Sequence, residues 1–202
     1  ALGGELSSER LLLAYKSGIF PWYSEDEPIV WWAPNPRFVL YVDKLKVSKS
    51  MRSLINKNIF EIRINTVFEE VITNCKTIER GDQEGTWIDE DMKNAYVKLH
   101  NEGWTHSFET WQDGVLVGGL YGVCIGKCFF GESMFAKVSN ASKYAFIKLV
   151  EYLKSKGFEL IDCQVHTPHL ESLGAELIPM AKFQQYLKGA DNRRLEEVND
   201  LF

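Results

Sequence analysis

The chain has 202 residues, of which 45% are hydrophobic and 25% are charged, a composition typical of globular proteins. Its net charge of -5 argues against a general nucleic-acid binder, and no apolar run approaches the roughly 18 residues of a membrane span. The four cysteines form no CxxC pair and have no histidine directly beside them, which favours free thiols over a zinc site. No signal peptide is visible, and because residue 1 is Ala we expect the translated start to lie upstream or to have been removed.

The first predicted helix begins after Ser7, which can cap it, and ends at Gly18. An aromatic stretch with several prolines follows over residues 18–37, and proline forbids a helix there. Five large aromatic residues fall within its central part: Phe20, Trp22, Tyr23, Trp31 and Trp32. Composition leaves open whether these rings cover the core or form a stacking platform for a planar ligand such as a base.

Residues 44–63 carry six Lys or Arg and one acidic residue, a net charge of +5 within an acidic chain. They are predicted to form a short helix after Ser48, between strands over 38–42 and 59–65. Such a run is usually a solvated face. Because the remainder of the chain must carry -10, the asymmetry favours a face on which a polyanion docks.

Thr66 and Glu69 form a capping-box pattern that predicts the next helix start. A polar loop follows over 76–86, where we place a domain boundary near residue 80, and Asp89 can cap a further helix. From Trp104 the hydrophobic period changes to two. The remaining predicted elements are strands over 105–112, 115–123 and 128–132, a hairpin turn at Asp113-Gly114, a long helix ending at Lys156, a strand over 158–165 and a helix over 180–188. This order predicts an α+β fold.

Polar residues interrupt two apolar strands of this second half. Alternation along 158–165 places Leu160, Asp162 and Gln164 on one face, where buried polar groups are costly unless something uses them. They either tie down a loop or helix end or belong to a site. Glu132 ends another apolar strand, so acidic and amide groups stand at the ends of two core strands. His106 is interpreted as a sheet residue, and spacing justifies no Ser-His-Asp set.

Seven motifs, in order, resemble those of the leucyl/phenylalanyl-tRNA–protein transferases: Gly-Ile-Phe-Pro-Trp (18–22), Trp-Trp-Ala-Pro-Asn-Pro-Arg (31–37), Gly-Thr-Trp-Ile (85–88), Val-Gly-Gly-Leu-Tyr-Gly-Val (117–123), Phe-Gly-Glu-Ser-Met-Phe (130–135), Asn-Ala-Ser-Lys (140–143) and Leu-Ile-Asp-Cys-Gln-Val (160–165). The resemblance runs from Ala1 to about Leu187. It implies a small N-terminal α/β domain, 1–80, followed by a domain like the GCN5-related acetyltransferases, 81–202. It also implies that members usually carry more residues before Ala1.

The resemblance further implies an enzyme that moves Leu or Phe, less often Met, from its tRNA to a protein whose first residue is Arg or Lys. The new apolar N-terminus marks that protein for degradation under the N-end rule. We expect the chain to act as a monomer in the cytoplasm of a bacterium, with no metal, organic cofactor or membrane partner.

By resemblance, Asp162 and Gln164 match the pair at the reacting centre. Glu132 matches a carboxylate of the substrate site, and Trp22 and Trp87 match tryptophans that pack about the terminal adenosine. The side-chain pocket is matched by Leu120, Phe129, Phe146 and Leu149. The tRNA-contacting positions are matched by Lys49, Arg52 and Lys57.

The implied reaction is aminolysis of an activated ester. An α-amine has a pKa of roughly 8, so near neutral pH it needs orientation and a proton acceptor more than strong activation. We hypothesise that Asp162 accepts a hydrogen bond or the proton from the amine, and that Gln164 holds a carboxylate or amide in line. Because an Asp of ordinary pKa, about 3.9, is a weak base, positioning is its larger expected role. Glu132 and Asp162 together predict an acidic mouth suited to Arg or Lys.

Two alternatives remain open from the residues. An acyl-CoA N-acetyltransferase would need a glycine-rich turn before the long helix, and residues 133–142 contain no glycine. A non-catalytic RNA-binding module would use the basic segment and the tryptophans as its surface, with Asp162 as a structural residue.

Overall fold

The computed structural model describes residues 1–24, 27–78 and 88–188. Its helices are α1 Ser8–Lys16, α2 Lys49–Asn56, α3 Phe68–Thr77, α4 Glu90–Asn101, α5 Ala141–Ser155, α6 Pro168–Ser172 and α7 Met180–Leu187. Its strands are β1 Phe20–Pro21, β2 Trp31–Trp32, β3 Arg37–Tyr41, β4 Glu61–Ile64, β5 Thr105–Gln112, β6 Val115–Ile125, β7 Cys128–Ala136, β8 Leu160–Gln164 and β9 Glu176–Ile178. No helix within those three ranges is long and apolar enough to cross a membrane.

Seven of the strands form one sheet in the order β4-β5-β6-β7-β8-β3-β9, while β1 and β2 pair separately. Neighbouring strands are antiparallel except β7 and β8, which are parallel and are connected through α5. A parallel pair requires such a crossover. The mixed sheet with helices confirms the predicted α+β class. Strands β3 and β4 precede residue 80 and join this same sheet, and the division into domains at that position stays a prediction.

Helices cover both faces of the sheet. Helix α5 packs on one face, where Phe129 and Ile161 belong to its apolar cluster. Helices α1, α3, α4 and α7 pack on the other face, where the cluster includes Phe130 and Leu160. Consecutive residues of β7 and β8 thus point to opposite faces, as the period-two pattern predicts.

The start of α3 differs from the prediction. The predicted capping box of Thr66 and Glu69 is wrong. The N-cap residue is Val67, and it makes no side-chain cap hydrogen bond. The carboxylate of Glu109, buried on β5, instead accepts the backbone N–H groups of Thr66 (2.9 Å) and Val67 (3.0 Å), together with the hydroxyl of Thr66. A buried anion beside a helix N-terminus satisfies the free N–H groups better than an exposed glutamate in the first turn.

Other local predictions are confirmed. Ser7 and Asp89 cap α1 and α4, and Asp113 and Gly114 both take the positive φ of a tight hairpin turn. Strand β7 extends four residues beyond the predicted end at Glu132, because Ser133–Ala136 continue to pair with β6. These extra residues carry one wall of the cavity described next.

Candidate active site

A cavity of about 410 Å³ opens where β7 and β8 separate. It is lined by Phe20, Pro21, Trp22, Leu120, Tyr121, Phe129, Gly131, Glu132, Ser133, Met134, Phe146, Leu149, Ile161, Asp162, Cys163, Gln164, Val165, Thr167, His169 and Leu170. The lining combines the N-terminal loop, three strands of the sheet, α5 and α6. Eight of the predicted site residues lie here together: Asp162, Gln164, Glu132, Trp22, Leu120, Phe129, Phe146 and Leu149.

The strand register explains the opening. Strands β7 and β8 pair only from Cys128–Phe130 to Leu160–Asp162. Beyond that point β7 pairs with β6 alone, and β8 continues beside β3. Because the two strands part, residues from both faces of the sheet reach one cavity. This places the carboxylate of one face next to the apolar side chains of the other.

Asp162 is fully buried and bound by Arg37, which is also fully buried. The guanidinium donates from Nε to Oδ1 at 2.8 Å and from Nη2 to Oδ2 at 2.6 Å. Oδ1 also accepts the backbone N–H of Gln164 at 2.9 Å. Both carboxylate oxygens are thus occupied by charge-assisted or backbone hydrogen bonds, which fix the orientation of the side chain.

Glu132 is the second acidic residue that lines the cavity. Its carboxylate accepts hydrogen bonds from the hydroxyls of Tyr15 (2.8 Å) and Tyr96 (2.9 Å) and from Nε2 of Gln164 (2.9 Å). The two tyrosine hydroxyls also contact each other. Burial raises the pKa of Glu132 to about 7, an effect that these three donors only partly offset and that the charge of Asp162 reinforces. Near neutral pH the protonated and the ionised forms of this carboxyl group are therefore both populated.

Gln164 connects the two carboxylates. Its backbone N–H is held by Asp162 and its side-chain amide by Glu132. Its φ of 63° lies in the left-handed region, which is uncommon for a residue other than glycine or asparagine. Local strain of this kind persists where surrounding contacts enforce it and is found at functional sites.

The rest of the cavity is mainly apolar. The four predicted pocket residues, Leu120, Phe129, Phe146 and Leu149, are all buried. Further apolar or thiol-bearing lining residues, among them Met134, Ile161, Cys163 and Leu170, were not among the predicted site residues. Ile161 and Cys163 follow from the alternation of the Asp162 strand, which identifies them once the strand is known to border a cavity.

Sequence reasoning also missed the polar supports of the site, Arg37, Tyr15 and Tyr96. The two tyrosines stand at apolar positions of α1 and α4, so helical spacing alone predicts core residues. A tyrosine in such a position still needs a partner for its hydroxyl, and that requirement is the signal for a buried acceptor. Arg37 ends a quoted motif, yet nothing local in the sequence indicates that its charge is buried.

The aromatic stretch of residues 18–37 is divided between the core and the surface, and its use as a stacking platform stays a prediction. Phe20 and Tyr23 are buried in the core, whereas Trp22 and Trp32 are 37% and 45% exposed. These two tryptophans lie with ring centroids 6.0 Å apart, and Nε1 of Trp32 donates to the backbone carbonyl of Trp22. Trp22 therefore forms an aromatic rim of the cavity. Trp87, its predicted companion, lies outside the described residues.

The predicted tRNA-contacting residues lie apart from the cavity lining. Lys49, Arg52 and Lys57 are exposed on or directly after α2, whose Met51 is buried. None of the three makes an ion pair with any residue that the structure describes. The helix thus has one anchored side and one exposed basic side, and the docking of a polyanion on the basic side stays a prediction.

Two family models match almost the whole described chain. The model of the leucyl/phenylalanyl-tRNA protein transferase N-terminal domain matches residues 4–35, and that of the leucyl/phenylalanyl-tRNA protein transferase matches residues 39–188.

Curated relatives agree with these matches. A protein of Flavobacterium johnsoniae is 58% identical over 188 residues, which cover 93% of this chain and 89% of that protein. A protein of Hydrogenovibrio crunogenus is 54% identical, with 93% and 73% covered. Both are named leucyl/phenylalanyl-tRNA–protein transferase.

Similar solved structures include an aminoglycoside acetyltransferase from an uncultured soil metagenomic sample, in complex with trehalose. It is 15% identical, with a TM-score of 0.42 and 72% of this chain and 98% of that chain covered. L-PGS from Bacillus licheniformis is 10% identical, with a TM-score of 0.46 and 90% and 62% covered. These likenesses are too distant to indicate a function. Since the two family models and the curated relatives cover most of its length, the chain belongs to the leucyl/phenylalanyl-tRNA–protein transferase family.

Proposed function

We propose that this protein transfers Leu or Phe, and less readily Met, from aminoacyl-tRNA to the N-terminal Arg or Lys of a protein, and that the cavity between β7 and β8 holds the reacting groups. Membership of the family makes the chain an aminoacyltransferase. The observation that carries the site assignment is a single cavity with an apolar part and an acidic end. An acyl-CoA acetyltransferase or a non-catalytic RNA-binding module is not favoured by that membership.

The apolar part receives the side chain of the transferred amino acid. Leu120, Phe129, Phe146 and Leu149 offer aliphatic and aromatic surface, and burial of a Leu or Phe side chain against it stabilises binding by about 1.5–3 kcal/mol. Selection against β-branched residues relies on shape and is modest, because a difference of one methyl group is worth only about 1–3 kcal/mol.

The acidic end receives the acceptor. An N-terminal Arg or Lys carries a cationic side chain beside its α-amine, and Glu132 supplies a carboxylate whose charge it can neutralise. The raised pKa of Glu132, about 7, means that an approaching cation also favours loss of the remaining proton. The acceptor and the ionised carboxylate therefore stabilise each other.

The chemical step joins the α-amine nitrogen to the ester carbonyl carbon and breaks the bond to the ribose oxygen of the terminal adenosine. A proton leaves the amine and one reaches the departing ribose oxygen, with ribose hydroxyls as the shuttle. In this scheme Gln164 orients the amine: its Nε2 is engaged by Glu132, and its Oε1 has no donor among the described residues and remains available to accept from the amine.

Asp162 acts mainly by holding Gln164. Because Arg37 and the Gln164 N–H already occupy its oxygens, the carboxylate is poorly placed to take a proton directly. This departs from the hypothesis of Asp162 as proton acceptor and agrees with positioning as its larger role.

The nucleic acid is held by two separate parts of the chain. Trp22 at the cavity rim, with Trp87, packs about the terminal adenosine, where base stacking contributes roughly 1–3 kcal/mol. The exposed basic side of α2, with Lys49, Arg52 and Lys57, contacts the tRNA backbone. We place the reaction in the bacterial cytoplasm, where the product becomes a substrate for degradation, and propose that the protein acts as a monomer.

Filling the cavity tests this assignment. Met134→Trp adds a ring at a partly exposed wall of the cavity, while Val115→Trp adds one at an exposed position on β6 outside the lining. We expect Met134→Trp to lower transfer of labelled Leu from tRNA to an Arg peptide at least tenfold and Val115→Trp to leave it within twofold. Full transfer by Met134→Trp would place the donor side chain elsewhere.

A further inference from the structure

The pairing of Asp162 with Arg37 extends the site beyond the residues that touch substrate. Both side chains are fully buried, and the guanidinium binds the carboxylate through two parallel hydrogen bonds. Nη1 of Arg37 donates a further bond to the backbone carbonyl of Gly18 at 3.1 Å. Gly18 opens the loop that carries Phe20, Pro21 and Trp22 to the cavity. Arg37 therefore contacts both the strand of Gln164 and the loop of the aromatic rim.

The guanidinium itself is rigidly held. Its carbon lies 4.8 Å from the ring centroid of Phe20 and 4.9 Å from that of Phe183 on α7, so it stacks between two aromatic faces. A planar fork of fixed orientation is specific to arginine, since lysine offers a point charge on a flexible stem. Arg37 thus holds two N–H donors in fixed positions behind the cavity, although its own side chain does not line the cavity.

We infer that Arg37 is a positioning residue for the transfer reaction: by clamping Asp162 it fixes the backbone of Gln164 in its left-handed conformation and sets the Gln164 side chain between Glu132 and the attacking amine. Arg37 touches no substrate and acts only through Asp162 and the Gly18 loop. This inference rests on the proposed function.

Two physical arguments support a positioning role over simple stabilisation. A buried ion pair is weak evidence for stability, because desolvation offsets most of the attraction, and apolar replacements are often as stable. The left-handed φ of Gln164 also needs enforcing contacts, and two are present: the bond from its N–H to Asp162 Oδ1, and the bond of 2.7 Å from the Val165 N–H to the Cys163 carbonyl that closes a turn around Gln164. Of the two, only the bond to Asp162 depends on Arg37. Loss of Arg37 would leave the Asp162 side chain free to rotate, and that rotation releases the Gln164 N–H.

The first test compares Arg37→Lys with wild type in single-turnover transfer of labelled Leu to an Arg peptide, alongside the dissociation constant for Leu-tRNA. The charge is kept and the fork is lost, so we expect the transfer rate to fall about 10–100-fold with binding within threefold. A rate within threefold of wild type would overturn the inference. Equal losses of rate and binding would also overturn it, by assigning Arg37 a purely structural role.

A second variant guards against misfolding, because each single change to a neutral residue leaves a buried charge unpaired. Arg37→Gln combined with Asp162→Asn removes both charges and keeps an oxygen at 162 that accepts the Gln164 N–H. We expect this pair to be at least tenfold more active than Asp162→Asn alone. A double variant that binds Leu-tRNA normally and is no more active than that single variant would contradict the inference, since the carboxylate itself would then be required.

A control removes an exposed ion pair near the start of β8, the strand that carries Asp162. Lys127→Gln with Glu159→Gln breaks an exposed bridge of 2.7 Å just before β7 and β8, and the transfer rate should stay within twofold. Wild-type protein in the same assay separates the two claims. No transfer by wild type would contradict the proposed function together with the role of Arg37, whereas wild-type transfer that is unaffected by Arg37→Lys would contradict the role of Arg37 alone.

Discussion

Gln164 is held at both ends, by Asp162 through its backbone and by Glu132 through its side chain. Replacement by Gly removes the side chain and at the same time suits the positive φ, so it tests the side chain without backbone strain. We expect Gln164→Gly to stay within about 1–2 kcal/mol of wild-type stability, because the relief at the positive φ opposes the lost hydrogen bond to Glu132. We expect it to lower the transfer rate about 100-fold or more, the range typical of groups that assist proton transfer.

The measurement is single-turnover transfer together with thermal unfolding. The control is Gln185→Ala, on the exposed side of α7, which should change neither the transfer rate nor the unfolding temperature. Alanine is chosen because glycine would itself weaken the helix. Undiminished transfer by Gln164→Gly would remove this residue from the mechanism.

The carboxyl group of Glu132 links the site to pH. Its pKa in the folded protein, about 7, lies above the ordinary value of 4.5, so the folded state holds the proton more tightly than the unfolded state. The folded protein is therefore favoured below pH 4.5, and the advantage is lost as pH rises towards 7 and above, by up to about 3 kcal/mol for a shift of this size. We expect the free energy of unfolding of wild type to fall between pH 5 and pH 8 more than that of Glu132→Gln.

Denaturant unfolding of both proteins at the two pH values measures this difference. A parallel pH dependence in wild type and variant would show that Glu132 is ionised in the folded protein throughout the range. In the wild type, the same ionisation should lower KM for an Arg peptide as pH rises through 7.

At the residue scale, the sequence predicts the polar centre but not its supports. Asp162, Gln164 and Glu132 stand out because polar groups interrupt apolar strands. Arg37 and Tyr15 come from segments far away in the chain, and their contacts depend on pairings between strands and helices that no local pattern encodes. The hypothesis that Asp162 accepts a hydrogen bond or the proton from the amine stays a prediction, and its buried partner Arg37, which no local pattern indicates, favours the positioning role.

Among the elements, the start of α3 depends on one buried side chain. Glu109 accepts hydrogen bonds from two backbone N–H groups, from the hydroxyls of Thr66 and Ser107, and from the indole N–H of Trp111 at 3.3 Å. A glutamine at this position has one acceptor oxygen and no charge, so it cannot replace these bonds. Since hydrogen bonds to charged groups contribute about 1.5–3 kcal/mol each, we expect Glu109→Gln to destabilise the fold by about 2–4 kcal/mol with an unchanged transfer rate.

Denaturant unfolding checks this loss. Glu70→Gln is the matched control, since it removes an exposed carboxylate from the first turn of the same helix and should cost at most about 1 kcal/mol. Similar small effects for both variants would show that Glu109 is not the main cap of α3.

Element boundaries followed from the sequence wherever contacts are local. The hairpin of β5 and β6 was predicted from its period and from Asp113-Gly114, and the caps of α1 and α4 from Ser7 and Asp89. The placement of β3 between β8 and β9 was not predicted, because pairing between segments far apart in the chain leaves no periodic signal. The separation of β7 and β8, which creates the cavity, also depends on such long-range pairing and was not predicted.

Across the whole molecule, the basic surface of α2 is separate from the cavity. The basic residues of α2 lie outside the cavity lining, and the acidic residues of the reacting centre lie within it. Neutralising Lys49, Arg52 and Lys57 together by glutamine should weaken tRNA binding and lower the slope of log affinity against log salt by about 2–3, because each phosphate contact releases roughly one counterion.

Equilibrium binding at several salt concentrations measures this slope. A matched triple change of Lys98, Lys127 and Lys156, which are exposed outside α2, should leave the slope nearly unchanged. An unaltered slope in the α2 variant would move the tRNA surface to another part of the molecule.

The central claim is that one cavity brings an apolar donor side chain and a cationic acceptor together. The most direct measurement mixes the protein with labelled Leu-tRNA and two peptides that differ only in their first residue, Arg or Asp. We predict label on the Arg peptide and none on the Asp peptide, because the acidic end formed around Glu132 attracts a cation and repels a carboxylate. Label on neither peptide, with the tRNA still bound, would contradict the account and leave a protein that binds RNA without transferring its amino acid.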